Sequence, residues 1–130
     1  VRLTDNPAPD KEDKVFNKKL ADSIYAEFLN SADTASNAAY AEWKRLLNER
    51  DHARSVVDKA YNALLELAAE MNTQGNRVEA DLRARYTEAQ TNYDEAKSEE
   101  QNASIKADEA GDFYTKVNTA RNVVKMIVFR

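Results

Sequence analysis

Few residues in the chain have types suited to chemistry, and their spacing argues against most of what they could do. Glu49 and His52 make a Glu-x-x-His step, the spacing that di-iron carboxylate bundles use to hold metal. That chemistry needs the step twice, and His52 is the only histidine. Asp94/Glu95 and Glu99/Glu100 are paired carboxylates, but neighbours in sequence do not face each other on a helix, so neither pair suits general acid–base work. With no cysteine there is no thiolate nucleophile, thiolate metal site or disulfide scaffold. Gly75 and Gly111 are the only glycines, too few for a phosphate-cradling loop. Asn102-Ala103-Ser104 fits a glycosylation sequon, which matters only in a secretory context. The expectation is a protein that is not an enzyme, with no catalytic, cofactor-binding or metal site.

Binding is the chemistry that remains. Tyr40 and Tyr61 fall on the flank of a helical stripe, where a half-exposed aromatic can anchor a partner. Met71, Asn72, Thr73, Gln74 and Asn76 surround a turn, and loops on rigid scaffolds carry recognition. The net charge of −4 lacks the basic footprint of a nucleic-acid binder. The charge is unevenly spread: Asp94 to Asp112 carries seven acids and two lysines, whereas Phe113 to Arg130 carries four bases and no acid. This reads as a solvated helix face followed by a dipole-favoured basic helix end. No apolar run approaches the ~18 residues of a membrane span, so membrane insertion is not expected. The partner expected is a protein, with room for self-association.

The elements that must position these residues are helices. Pro7 and Pro9 sit in a polar leader (residues 1–9), and no proline follows. Asp10 reads as the N-cap of a first helix (10–31) with an apolar row at Phe16, Leu20, Ile24 and Phe28. Short polar residues from Asn30 to Asn37 predict a break, because their side chains compete for backbone hydrogen bonds. Beyond it, Trp43, Leu46, Arg50, Ala53, Val57, Ala60, Leu64, Leu67 and Met71 alternate in steps of three and four. That is a heptad seam, and it predicts one hairpin arm (34–73). Gly75 supplies a left-handed stop and a turn (74–75), and Asn76 with Glu79 reads as a capping box. The second arm (76–110) repeats the seam at Leu82, Tyr86, Ala89, Tyr93, Ala96, Glu100, Ala103, Ala107 and Ala110.

A five-residue connection implies an antiparallel hairpin. Matching the seams pairs residues whose numbers add to 149 or 150, from Leu67 with Leu82 to Ala39 with Ala110. That register also brings together Arg50 and Glu100, the one charged seam residue of each arm, as a register lock. At Gly111 the stripe slips by one residue, to Phe113, Val117, Ala120, Val124 and Ile127. This predicts a base and tail (111–130) that packs the first helix. Val123–Phe129 and Val1–Thr4 are rich in β-branched or apolar residues and read as short strands. The chain begins at Val1, which suits a processed protein or, the preferred reading, an excised piece whose ends re-enter a parent domain as neighbouring strands.

The fold expected is therefore all-α: a single helical domain (10–130) made of a long antiparallel hairpin with an alanine-rich seam and a first helix at its base, three helices in all. From Ser36 to Ala110 the alanine seam, polar flanks and short tip resemble the receptor-binding segment of E-type colicins and related bacteriocins. The resemblance implies a projecting hairpin whose tip engages a cell-surface receptor. The acidic tip of RNA-polymerase secondary-channel factors is missing between Asn72 and Asn76, and the tight Gly75 turn leaves no room for the strands of prefoldin-like arms. The function expected is a rigid hairpin presenting its tip or flank to a protein partner, with a structural spacer or oligomerisation arm as the competing reading.

Overall fold

The computed structural model of the protein describes residues 11–128. Two helices account for nearly all of them: α1 (Lys11–Gln74) and α2 (Ala80–Val128), packed as a hairpin and joined by a 3-10 turn, Gly75–Arg77, followed by Val78 and Glu79. No strand occurs among the described residues. None of their helices is long and apolar enough to cross a membrane. The leader, the Asp10 cap and the Val1–Thr4 strand expected from sequence lie outside the described residues, as do Phe129 and Arg130. Contacts divide the chain into two compact units, one from Ala39 to Tyr114, the other comprising the residues before and after it.

In the hairpin unit the seam expected from the heptads is the one that forms. Ala39, Leu46, Leu82, Ala89, Ala96 and Ala107 are buried, and Ala107 is wholly so. The register differs from the expected one. Tyr61 meets Tyr93, Arg54 meets Glu100 and Tyr40 meets Tyr114, pairs whose numbers all add to 154. The hairpin is thus displaced by about one helical turn, because its connection runs from Gly75 to Glu79 rather than closing on Gly75 alone.

Side-chain volume explains the choice. Counted from those contacts, Leu46 comes level with Ala107, Val57 with Ala96, Leu64 with Ala89 and Trp43 with Ala110. Each of these four large residues faces an alanine, so the side-chain volume to be fitted varies little from one of these layers to the next. The expected register would set Leu against Leu and Ala against Ala, alternately prising the helices apart and leaving voids. The Arg50–Glu100 lock accordingly does not form: Glu100 pairs with Arg54 at 3.5 Å, and Arg50 reaches Asp51 at 3.3 Å.

The slip expected at Gly111 is also absent. After Ala110 the next inward residue is Tyr114, four on, while Phe113 is 60% exposed. Gly111 is required for a different reason. A β-carbon there would lie 3.0 Å from Nε1 of Trp43, so the glycine makes room for the indole.

In the other unit the corrections are larger. α1 runs through residues 30–37 without a break, so the chain has two long helices instead of three. Two of its polar residues turn inward and find partners on α2, while Asn30, Ser31, Thr34 and Asn37 stay exposed: Ser36 is buried and donates to Asn118 Oδ1 at 3.5 Å, and Asp33 lies 3.9 Å from Arg121. Residues 123–128 are helical and not extended, although Val123, Met126 and Ile127 are 50%, 68% and 63% exposed and only Val124 among the apolar side chains described there is half-buried. The expected base does not pack: Leu20, Ile24 and Phe28 are 51%, 43% and 62% exposed. A row repeating every four residues advances about 40° around the helix at each step. It therefore leaves the 3-4 frame that Leu29, Ala32 and Ser36 follow. The side chain of Phe16 is not among those described.

Candidate functional site

The tip is built by the end of α1, the turn and the start of α2. Gly75 adopts φ +60, the left-handed conformation expected of it. The capping box is replaced by a different device. α2 starts at Ala80, Glu79 supplies the carbonyl that accepts from the Arg83 amide at 3.1 Å, and the Glu79 amide donates to Gln74 Oε1 at 3.2 Å. Gln74, expected to meet a partner, thus ties the two helices together across the turn. Thr73 donates to the Glu70 carbonyl at 2.7 Å, closing the last turn of α1. Asn72 and Thr73 are exposed and Met71 is half-buried; the Asn76 side chain lies outside the described ones.

At the tip the rule of large against alanine fails. Met71 comes level with Leu82, and Leu67 with Tyr86, both large against large. Here an open depression of about 610 Å³ is lined by Ala68, Ala69, Met71, Asn72, Val78 and Tyr86. Leu65, 49% exposed, lies one turn before Ala69 on the same helix. Of these residues only Met71 and Asn72 were expected from sequence. The missed signal was the loss of alanine from the α2 seam between Leu82 and Tyr86.

The flank residues also lie as expected, with Tyr40 and Tyr61 45% and 46% exposed. Each leans on a tyrosine of α2: Tyr40 on Tyr114 at 5.4 Å and Tyr61 on Tyr93 at 5.8 Å between ring centroids. The two pairs are three heptads apart on both helices, with Arg54–Glu100 between them. Trp43 stacks on Tyr114 at 5.5 Å with the planes 20° apart, and meets Tyr40 edge-on at 6.2 Å. Lys44 and Lys97 hold their ammonium groups 5.9 and 5.4 Å from the Tyr40 and Tyr93 rings. These contacts occupy one edge of each tyrosine in holding the hairpin together.

His52 is exposed, and the Glu49 carboxylate beside it is engaged by Arg45 at 2.6 Å. No group of three or more potential metal ligands gathers among the described residues. Glu42 takes two hydrogen bonds from Arg45, and these hold its carboxyl below the ordinary value of 4.5. No family model, curated protein or solved structure matches the chain.

Proposed function

We propose that the protein is a non-enzymatic interaction module whose helical hairpin presents its tip to a protein partner. The observation that carries this reading is the depression at the tip. It is a shallow, mostly apolar surface formed by Ala68, Ala69, Val78 and Tyr86 beside the turn, with the exposed amide of Asn72 at its border. Apolar surface bordered by polar groups at the end of a helical hairpin suits recognition of a protein surface. A cell-surface receptor, as the likeness to colicin hairpins implies, is the narrower form of the reading. The short turn with Asn72 and Thr73 open to solvent favours it.

The test is capture of a partner by the immobilised chain. Ala69→Glu places a charge in the depression at an exposed helical position, so the fold is retained. Partner recovery is expected to fall at least about tenfold, the effect of one well-placed disruption in an interface. Tyr40→Ala, on the flank, is expected to leave recovery unchanged. Equal recovery with Ala69→Glu and wild type sinks the tip reading, and loss only with Tyr40→Ala moves the contact to the flank.

A further inference from the structure

Of the residues lining the depression at the tip, all but one are fixed by a helix backbone: Ala68, Ala69, Met71 and Asn72 by α1, and Tyr86 by α2. Val78 is the exception. It stands in the connection, between the 3-10 turn Gly75–Arg77 and Glu79, with extended backbone (φ −63, ψ 124) and a half-buried side chain. Segments outside the helical ladders open most easily, so the shape of the depression depends on what holds the connection.

Glu79 is the residue that is held. Its carbonyl accepts from the Arg83 amide at 3.1 Å, which fastens it to the first turn of α2. Its amide donates to Gln74 Oε1 at 3.2 Å, which fastens it to the last residue of α1. Gln74 leaves a closed helix end, because the Thr73 hydroxyl donates to the Glu70 carbonyl at 2.7 Å. The Glu79 amide shares a rigid peptide plane with the carbonyl and α-carbon of Val78. Whatever orients that amide therefore places Val78 too.

We infer that Gln74 is a positioning residue, which sets Val78 as a wall of the depression by holding the Glu79 amide. Contact with a partner is the role its sequence position suggests, but the hydrogen bond turns its side-chain oxygen back onto the chain. The consequence for recognition rests on the depression being the partner site; the clamp itself is testable without a partner. A site that is competent only part of the time loses apparent affinity in proportion to that time. One exposed hydrogen bond changes such a population a few-fold, enough to tune binding without deciding the fold.

Nuclear magnetic resonance of the full chain tests the inference by comparing wild type with Gln74→Leu, which removes the acceptor, and Gln74→Glu, which keeps an acceptor oxygen. In Gln74→Leu the Glu79 amide is expected to exchange roughly three- to tenfold faster, the worth of one net hydrogen bond. The backbone order parameter of Val78 is expected to fall from about 0.85 toward about 0.6. The amide of Ala107, in the buried seam, is expected to keep its exchange rate, since the opening is local. Gln74→Glu is expected to match wild type throughout. Recovery of the protein that the wild-type chain captures is expected to fall several-fold with Gln74→Leu and to return with Gln74→Glu. Unchanged exchange and order in Gln74→Leu overturn the inference. So does loss of capture while Val78 stays ordered, because Gln74 then touches the partner directly. Unchanged capture with Gln74→Leu, where Ala69→Glu abolishes it, also overturns it. If Ala69→Glu leaves capture intact the tip reading falls by itself, and exchange at Glu79 with order at Val78 still decides whether Gln74 sets the wall.

Discussion

The two units carry a similar three-four spacing of inward residues and use it differently. Between Ala39 and Tyr114 the inward positions are mostly alanine on one helix against a larger apolar residue on the other, and Ala96 and Ala107 are 4% and 0% exposed. In the other unit the inward positions mix the polar residues Ser36, Asp33, Asn118 and Arg121 with the half-buried Leu29, Ala32, Val117 and Val124, while Phe28 and Met126 face solvent. Heptad spacing thus decides which residues turn inward. Their chemistry decides whether the pair closes into a dry seam or is left with apolar surface for something else to cover.

The most direct way to break this comparison is to make an equivalent truncation in each unit. Leu82 is 3% exposed, and Leu82→Ala is expected to cost about 2–4 kcal/mol through lost burial and a residual cavity. Phe28→Ala removes a larger side chain, yet it is expected to change stability by less than about 0.5 kcal/mol in dilute monomer, because the ring is already in water. Urea unfolding followed by circular dichroism measures both. Equal losses would mean that the Phe28 face is covered within the monomer.

The two glycines sharpen the comparison within the hairpin. Gly111→Val pushes a branched side chain into the Trp43 indole, 3.0 Å from where its β-carbon would stand. It is expected to cost about 1–3 kcal/mol by overpacking. Gly75→Ala meets no atom within 4 Å and suffers only the strain of φ +60, expected at about 1 kcal/mol. Thermal unfolding should therefore place Gly111→Val below Gly75→Ala. The reverse order would show that the turn, and not the indole notch, limits stability.

These residues also show how far the sequence could be read. The helices, the Gly75 stop and the seam residues from Trp43 to Met71 and Leu82 to Ala110 follow from spacing alone, because period is what amphipathic helices display. Register did not follow. Two identical heptads match at several offsets, and a pairing that brings Arg50 to Glu100 looks as good as one that brings Arg54 there until volumes are compared layer by layer. The polar run from Asn30 to Asn37 misled because propensity counts Ser36 as a helix breaker, and only the partner helix, with Asn118 opposite, makes it an inward residue. The tip depression was hidden because it arises from large residues meeting across the hairpin, a property of neither helix alone.

Arg50 tests the corrected register. Its side chain is 24% exposed, and its Nε is buried with no hydrogen-bond partner. An unsatisfied buried donor weakens the fold, and a well-packed apolar replacement of similar length removes that cost. Arg50→Met is expected to raise stability by about 1 kcal/mol, whereas Glu100→Gln, which breaks the pair with the half-exposed Arg54, is expected to cost less than about 1 kcal/mol. A substantial loss with Arg50→Met, abolished when Glu100 is also replaced, would restore the Arg50–Glu100 lock and with it the register one turn away.

The smallest expected effect contrasts the exposed surface of the hairpin with its seam. Arg45 bridges Glu42 and Glu49 along α1, and its hydrogen bonds lower the Glu42 pKa below the unfolded value. A carboxyl lowered on folding contributes its stability above the unfolded pKa, near 4.5, and loses it as pH falls through the lower folded value. The Glu42 side chain is 52% exposed, so water and salt screen the pair and little of the shift survives as stability. Glu42→Gln is therefore expected to lower the melting temperature slightly at pH 7 and low salt. The difference should narrow as pH falls below that of the unfolded carboxyl, and also in high salt. A difference that persisted in acid and salt would mean that Glu42 acts through packing on α1, placing it with the seam residues.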